Sequence, residues 1–204
     1  MEEYRYQTEV RHKVLLKLLS DILSPPVFAT FIFAAICFRI VPTAGNAFAL
    51  FSICFLFQSL LPVVYLFTTL KMQTISDIHL FHKEERNLVF PTLVAFYVSG
   101  FIVLHVMHAP GLIAGLMFSS TVLIILIWII NQSHKISVHA MGVAGLLTGM
   151  FFAFGSKAFT LEPIVALAAW VRYRTGAHAI SQILTGATLG HTVTYLVLKY
   201  FMMS

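Results

Sequence analysis

An all-α, polytopic transmembrane bundle of six to seven spans, led by an amphipathic amino-terminal helix, is the fold class this sequence predicts. Two observations predict it. Hydrophobic residues make up 59% of the 204 positions and charged residues 10%, with a mean hydropathy of +0.88. A chain of that composition cannot hide its apolar surface in one water-soluble core, so lipid must serve as solvent. The apolar residues also fall into windows of about 20, the length at which a helix crosses the hydrocarbon core, and polar loops separate the windows. No polar linker or low-complexity tract divides the chain, so residues 1–204 read as a single domain.

The elements follow in order. Residues Tyr4 to Leu19 place Val10, Val14, Leu15, Leu18 and Leu19 at helical spacing, with Arg11, Lys13 and Lys17 elsewhere around the turn. That pattern suits a helix in the headgroup layer, or a solvated helix leading into the first span. Met1 to Ser20 lack the layout of a cleavable signal. The first span runs from about Ile22 to Val41, opened by Pro25 and Pro26, which suit a first helical turn. The second runs from about Ala47 to Leu70 with a kink expected at Pro62. Polarity returns over Lys71 to Asn87. Val89 to Val106 and Leu112 to Ile130 form a hairpin around His108-Ala109-Pro110-Gly111. Val138 to Phe154 and a shorter Ala158 to Val171 form a second hairpin, and Ile180 to Leu198 is the last span.

Cys37 and Cys54 sit in apolar stretches, where a thiol acts as a small hydrophobe, so a disulfide is not expected. Gly142, Gly145 and Gly149 suit close helix packing. Trp128 and Trp170 read as interface anchors.

Counting crossings puts Lys71 to Asn87, Asn131 to Ser137 and Arg172 to Ala177 on one membrane face, together with the amino terminus. That face carries Arg5, Arg11, Lys13, Lys17, Lys71, Lys83, Arg86, Lys135, Arg172 and Arg174; the opposite one carries Arg39, Lys157 and Lys199. The bias of Lys and Arg toward cytoplasmic loops makes the first face cytoplasmic, and a short chain without a targeting segment fits a bacterial inner membrane. The net charge of +5 lies in membrane loops rather than along a soluble patch, which argues against a nucleic-acid partner.

The residues of the loop face carry a resemblance. Arg172, five residues and His178, followed by Gly186 and Gly190, resemble the third signature of the type 2 phosphatidic acid phosphatase superfamily, which reads Ser-Arg, five residues, His, three residues, Asp. Ser137-Val138-His139 is similar to the second signature, Pro-Ser-Gly-His. Arg86, with His79 seven positions before it, is similar to the first, a Lys, six residues, then Arg-Pro. The order of the pieces matches, and they cover about Asp77 to Gly190.

The resemblance implies a membrane phosphatase that acts on a lipid phosphate or diphosphate with no metal or other cofactor. His178 would attack phosphorus to form a phosphohistidine, and His139 would protonate the leaving oxygen. Arg86 and Arg172 would hold the phosphate, assisted by Ser137 and by Lys135 or His79. The chemistry needs these residue types: a nucleophile, an acid, and fixed positive charge around the equatorial oxygens. Arginine gives the bidentate fork.

The sequence also departs from the pattern. Gln182 stands where an aspartate would orient the nucleophile, and an amide accepts a hydrogen bond without supplying charge. Val138 replaces a glycine, Ile136 a proline, Val171 a serine and Asn87 a proline. Asp77, Glu84 and Glu85 are near enough in sequence to Arg86 to supply a substitute acid or base. An active phosphatase is therefore the first expectation, and a catalytically silent relative that binds lipid or a partner is the second. A small transporter, suggested by Gln58 and His191 inside spans, is the third.

Arg174 reads as a snorkelling anchor, and His191 as a packed, hydrogen-bonded histidine. His105 and His108 are i and i+3 at a span end, where Glu162 is the one further metal-ligand candidate on that face.

Overall fold

The computed structural model describes residues 2–77, 80 and 83–203, with side chains described at 11, 13–77, 80 and 84–203. His79 lies outside the described residues. Among the described residues nine α-helices follow one another: α1 (Glu2–Ile22), α2 (Pro25–Ile40), α3 (Ala44–Phe55), α4 (Leu61–Lys71), α5 (Lys83–Val106), α6 (Gly111–Asn131), α7 (Val138–Phe154), α8 (Pro163–Arg174) and α9 (Ile180–Met203). A π-helical turn, Leu56–Leu60, joins α3 to α4, and a 3-10 segment, Gly155–Leu161, follows α7.

Proline and glycine explain most of the boundaries. Pro25 opens α2 and Pro163 opens α8, where the missing N–H costs no hydrogen bond. The α5–α6 hairpin turns at His108, which holds a left-handed φ of 51°, and α6 restarts at Gly111. Pro62 acts through its neighbours: its ring would strike the carbonyl four residues back, that of Gln58, and the π turn Leu56–Leu60 widens the helix at that place. Residues 44–71 thus remain one continuous 28-residue helical run.

Among the described residues four helical stretches are long and apolar enough to cross a membrane: Ala44–Lys71, Glu84–Val106, Gly111–Asn131 and Val138–Leu161. A fifth arises if Lys13–Ile22 and Pro25–Ile40, bent by 48°, form one broken span. The chain is an all-helical integral membrane protein. The sequence led us to expect six to seven spans. Two of the segments read as spans lie outside this set: α8 has 12 residues, and α9 carries Thr185, Thr188, His191, Thr192 and Thr194 along its length. The expected sixth span over 158–171 is broken at Glu162 between the 3-10 segment and α8.

At the centre, α7 lies along α9, and both pack on α6. The two helices run parallel and meet through a seam of small residues. Gly186 faces the Ser137 carbonyl, Gly190 faces Met141 and Gly145, and Thr194 faces Gly145. A Cβ on Gly186 would come within 2.6 Å of the Ser137 oxygen, and one on Gly190 would collide with the Met141 carbonyl. The three α7 glycines serve three neighbours rather than one: Gly142 admits Pro25 of α2, Gly145 admits α9, and Gly149 admits Leu116 of α6. Cys37 and Cys54 are free thiols in the core.

Candidate site at the loop end of the bundle

The first turn of α7 is built by Ser137. Its backbone is extended, its Oγ accepts the Ala140 N–H at 3.3 Å, and its carbonyl accepts that of Met141 at 3.1 Å, the pattern of a helix N-cap. The Ser137 N–H donates to the Gln182 carbonyl at 3.2 Å, which ties the start of α7 to the first turn of α9. His139, second residue of α7, is 6% exposed, in the turn where unsatisfied N–H groups favour a nearby anion.

His178 lies in the turn between α8 and α9, after Gly176, whose φ of 68° suits glycine. Its Nδ1 is 3.2 Å from Gln182 Oε1, and the Ala179 N–H donates to the same oxygen at 3.2 Å. A backbone N–H can only donate, so the Gln182 atom at this position must be the carbonyl oxygen. It follows that Nδ1 of His178 carries the ring proton and that Nε2 holds the lone pair. Burial, then the Arg86 and Arg172 guanidiniums, and more weakly the Lys135 ammonium, push the His178 pKa down to about 3, against a weaker lift from Gln182. The imidazole is neutral at physiological pH.

Arg86 sits in the first turn of α5, 1% exposed. Its Nε donates to the Leu80 carbonyl at 2.9 Å and its Nη1 to the Ile136 carbonyl at 3.1 Å, fixing the guanidinium plane between the α4–α5 loop and the residue before Ser137. Next to it, the Asn87 amide is bonded to Gln132 (2.9 Å) and to Asn131 (3.3 Å), which pins α5 to the end of α6. Arg172, 2% exposed in the last turn of α8, donates from Nη1 to Ser20 Oγ of α1 at 3.0 Å. Lys135 is half-buried in the α6–α7 loop; burial, then Arg86 and Arg172, hold its ammonium pKa below the ordinary lysine value.

Arg86, Lys135, Arg172 and His178 are thus close enough to act on one another, with Ser137 and Gln182 joined beneath them. Asp77 is the opposing charge that acts on Arg172. Of the other nearby acids, Glu85 accepts the Ser76 N–H at 2.7 Å and Glu84 points to the exterior. Arg174 stacks over Trp170 at 5.8 Å and stays outside the cluster.

Two features were missed in the sequence: Ser20 as partner of Arg172, and the partners of His191, itself the hydrogen-bonded histidine expected, midway along α9. There His191 Nδ1 meets Thr148 Oγ1 at 2.9 Å, and His191 Nε2 lies 3.5 Å from Glu162 Oε2. Glu162 is therefore engaged with His191 of α9. Gln58 lines a different cavity, of about 40 Å³, with Tyr97 and Thr194. No protein-family model, no curated protein and no solved structure matches this chain.

Proposed function

We propose that this protein is an integral membrane phosphatase that removes phosphate from a phosphorylated or pyrophosphorylated lipid, a divergent relative of the type 2 phosphatidic acid phosphatases. The observation that carries the reading is the neutral imidazole of His178, its Nδ1 turned to Gln182 and two buried guanidiniums and an ammonium around it. Three cations gathered about one imidazole, with Asp77 acting on Arg172 as the opposing charge, favour an anion of high charge density, and a phosphoryl group is one.

In the mechanism, the Nε2 lone pair of His178 attacks phosphorus while Arg86, Arg172 and Lys135 hold the equatorial oxygens. The P–O bond to the lipid breaks, and His139, protonated, gives its proton to the leaving oxygen. Water then attacks the phosphohistidine, with His139 taking a proton back, and inorganic phosphate leaves as Nε2 regains its lone pair. The positive charge a divalent metal would supply is supplied by the guanidiniums and Lys135.

In this proposal the 3-10 segment with α8, a crossing broken at Glu162, and α9 complete a seven-pass topology, α1 lies in the headgroup layer, and the site opens sideways so that the hydrocarbon chain stays in lipid. Lys135, Arg172 and their neighbours then face the cytoplasm, at a bacterial inner membrane by the charge bias of the loops.

The neutrality of Gln182 favours a second reading, in which the site binds lipid phosphate without turning it over. Phosphate release from a panel of lipid phosphates, assayed with EDTA, separates the two. The phosphatase releases phosphate, and His178→Ala and His139→Ala lose it. The silent relative binds the same lipids, releases nothing, and gains activity only in Gln182→Asp.

A further inference from the structure

Farther along α7 and α9 from the phosphate cluster, a cavity of about 410 Å³ lies between α7, the 3-10 segment and the middle of α9, a volume in the range of small-ligand sites. Its polar groups are Thr148, His191, Thr192 and Glu162; its rings are Phe151, Phe159 and Tyr195. The Phe151 and Phe159 rings are 5.2 Å apart at 46°, so they form a corner rather than a stack. Phe159 and Tyr195 are 60% and 44% exposed, so the cavity opens on the flank of the molecule.

The hydrogen bonds define what the polar groups offer. Thr148 Oγ1 donates its hydrogen to the Ala144 carbonyl at 3.0 Å, so toward His191 it can only accept, and Nδ1 carries the proton. Nε2 and Glu162 Oε2 then face one another at 3.5 Å, each offering a lone pair, so a single donor group placed beside them can bond to both.

We infer that this cavity binds a primary ammonium group. Such a group serves both acceptors: one N–H donates to Glu162 and another to Nε2 of His191, while the rings of Phe151, Phe159 and Tyr195 offer their negative faces to the charge. A quaternary ammonium has no N–H and leaves Nε2 unsatisfied. A guanidinium would satisfy both acceptors, but its fork suits two carboxylate oxygens in one plane better than a carboxylate and an imidazole. The ammonium can come from an aminoethyl lipid headgroup or from a small soluble amine.

The test is thermal unfolding of the full chain in nanodiscs of phosphatidylglycerol alone, or with phosphatidylethanolamine or phosphatidylcholine added. Ethanolamine is titrated into the first set. Phosphatidylethanolamine is expected to raise the midpoint by about 3–8 °C over phosphatidylglycerol, phosphatidylcholine to leave it unchanged, and Glu162→Gln to abolish the rise. A rise with soluble ethanolamine alone, lost in the same variant, supports the site and assigns a free amine as ligand. Phe159→Leu keeps the carboxylate and should reduce the rise while still folding. Equal midpoints in all lipids and in ethanolamine, a rise retained in Glu162→Gln, or an equal rise with phosphatidylcholine would overturn the inference.

Discussion

Gln182 Oε1 receives two hydrogen bonds, from His178 Nδ1 and from the Ala179 N–H, each at 3.2 Å. The second bond decides the first, because it orients the amide oxygen and so sets the imidazole tautomer. Gln182 accordingly reproduces the orienting part of a carboxylate's role but not its charge. An imidazole that becomes a phosphorylated cation gains from a negative neighbour, and here it has a dipole instead.

Restoring the charge should therefore speed the reaction. Gln182→Asp is expected to raise kcat by about tenfold or more, one pKa unit's worth of stabilised imidazolium being about 1.4 kcal/mol. It should also raise the His178 pKa from about 3. Gln182→Leu removes the orienting acceptor and should lower kcat. Steady-state kinetics with an NMR titration of the labelled histidine checks both; unchanged rates in both variants would remove Gln182 from the mechanism.

The two guanidiniums should differ on substitution. Arg172→Lys keeps a charge but loses the fork, and should raise KM for a lipid phosphate by about tenfold with a smaller effect on the folded state. Arg86→Met strips the Leu80 and Ile136 carbonyls of their donor, and each buried group left unpaired costs about 1–3 kcal/mol. That variant should lose stability as well as affinity. Denaturation in detergent beside the kinetics separates the two effects.

Acid should weaken the fold through His178. Its folded pKa of about 3 lies below the ordinary 6.5, so the fold favours the neutral ring. As pH falls from about 6.5 toward 3, the unfolded chain takes up a proton that the folded chain refuses, and stability is lost across that window. The midpoint of thermal unfolding should drop over this range, and His178→Asn, neutral throughout, should flatten part of the drop.

The α7–α9 seam should tolerate no side chain. Gly190→Ala places a Cβ against the Met141 carbonyl, an overpacking worth about 1–3 kcal/mol. Gly45→Ala, with open space around it, should stay within about 0.5 kcal/mol of the parent. Equal midpoints for the two variants would contradict the packing described for α7 and α9.

Much of this arrangement was legible in the chain because proline and glycine act locally. Pro25 and the His108 to Gly111 turn sit at boundaries a reader can mark from sequence. Arg172 and His178 fall at one end of the bundle because six positions carry the chain out of α8 and into the turn before α9. Other features depend on contacts between distant segments. Ser20 and Arg172 are 152 positions apart, and nothing in either neighbourhood signals the other. Thr148, Glu162 and His191 come from three elements, and each alone reads as an ordinary polar residue in an apolar stretch. The break at Glu162 was hidden because apolar residues continue on both sides of it, and hydropathy does not register a change from 3-10 to α-helix.

The central claim is that His178 carries the phosphoryl group. Brief exposure of the purified protein to a lipid phosphate labelled with phosphorus-32, followed by quenching, tests it directly. The account predicts label on the protein that survives base, is lost in acid and is missing from His178→Ala, with labelling slowed in His139→Ala. Phosphate release that proceeds at the parent rate in His178→Ala would contradict it.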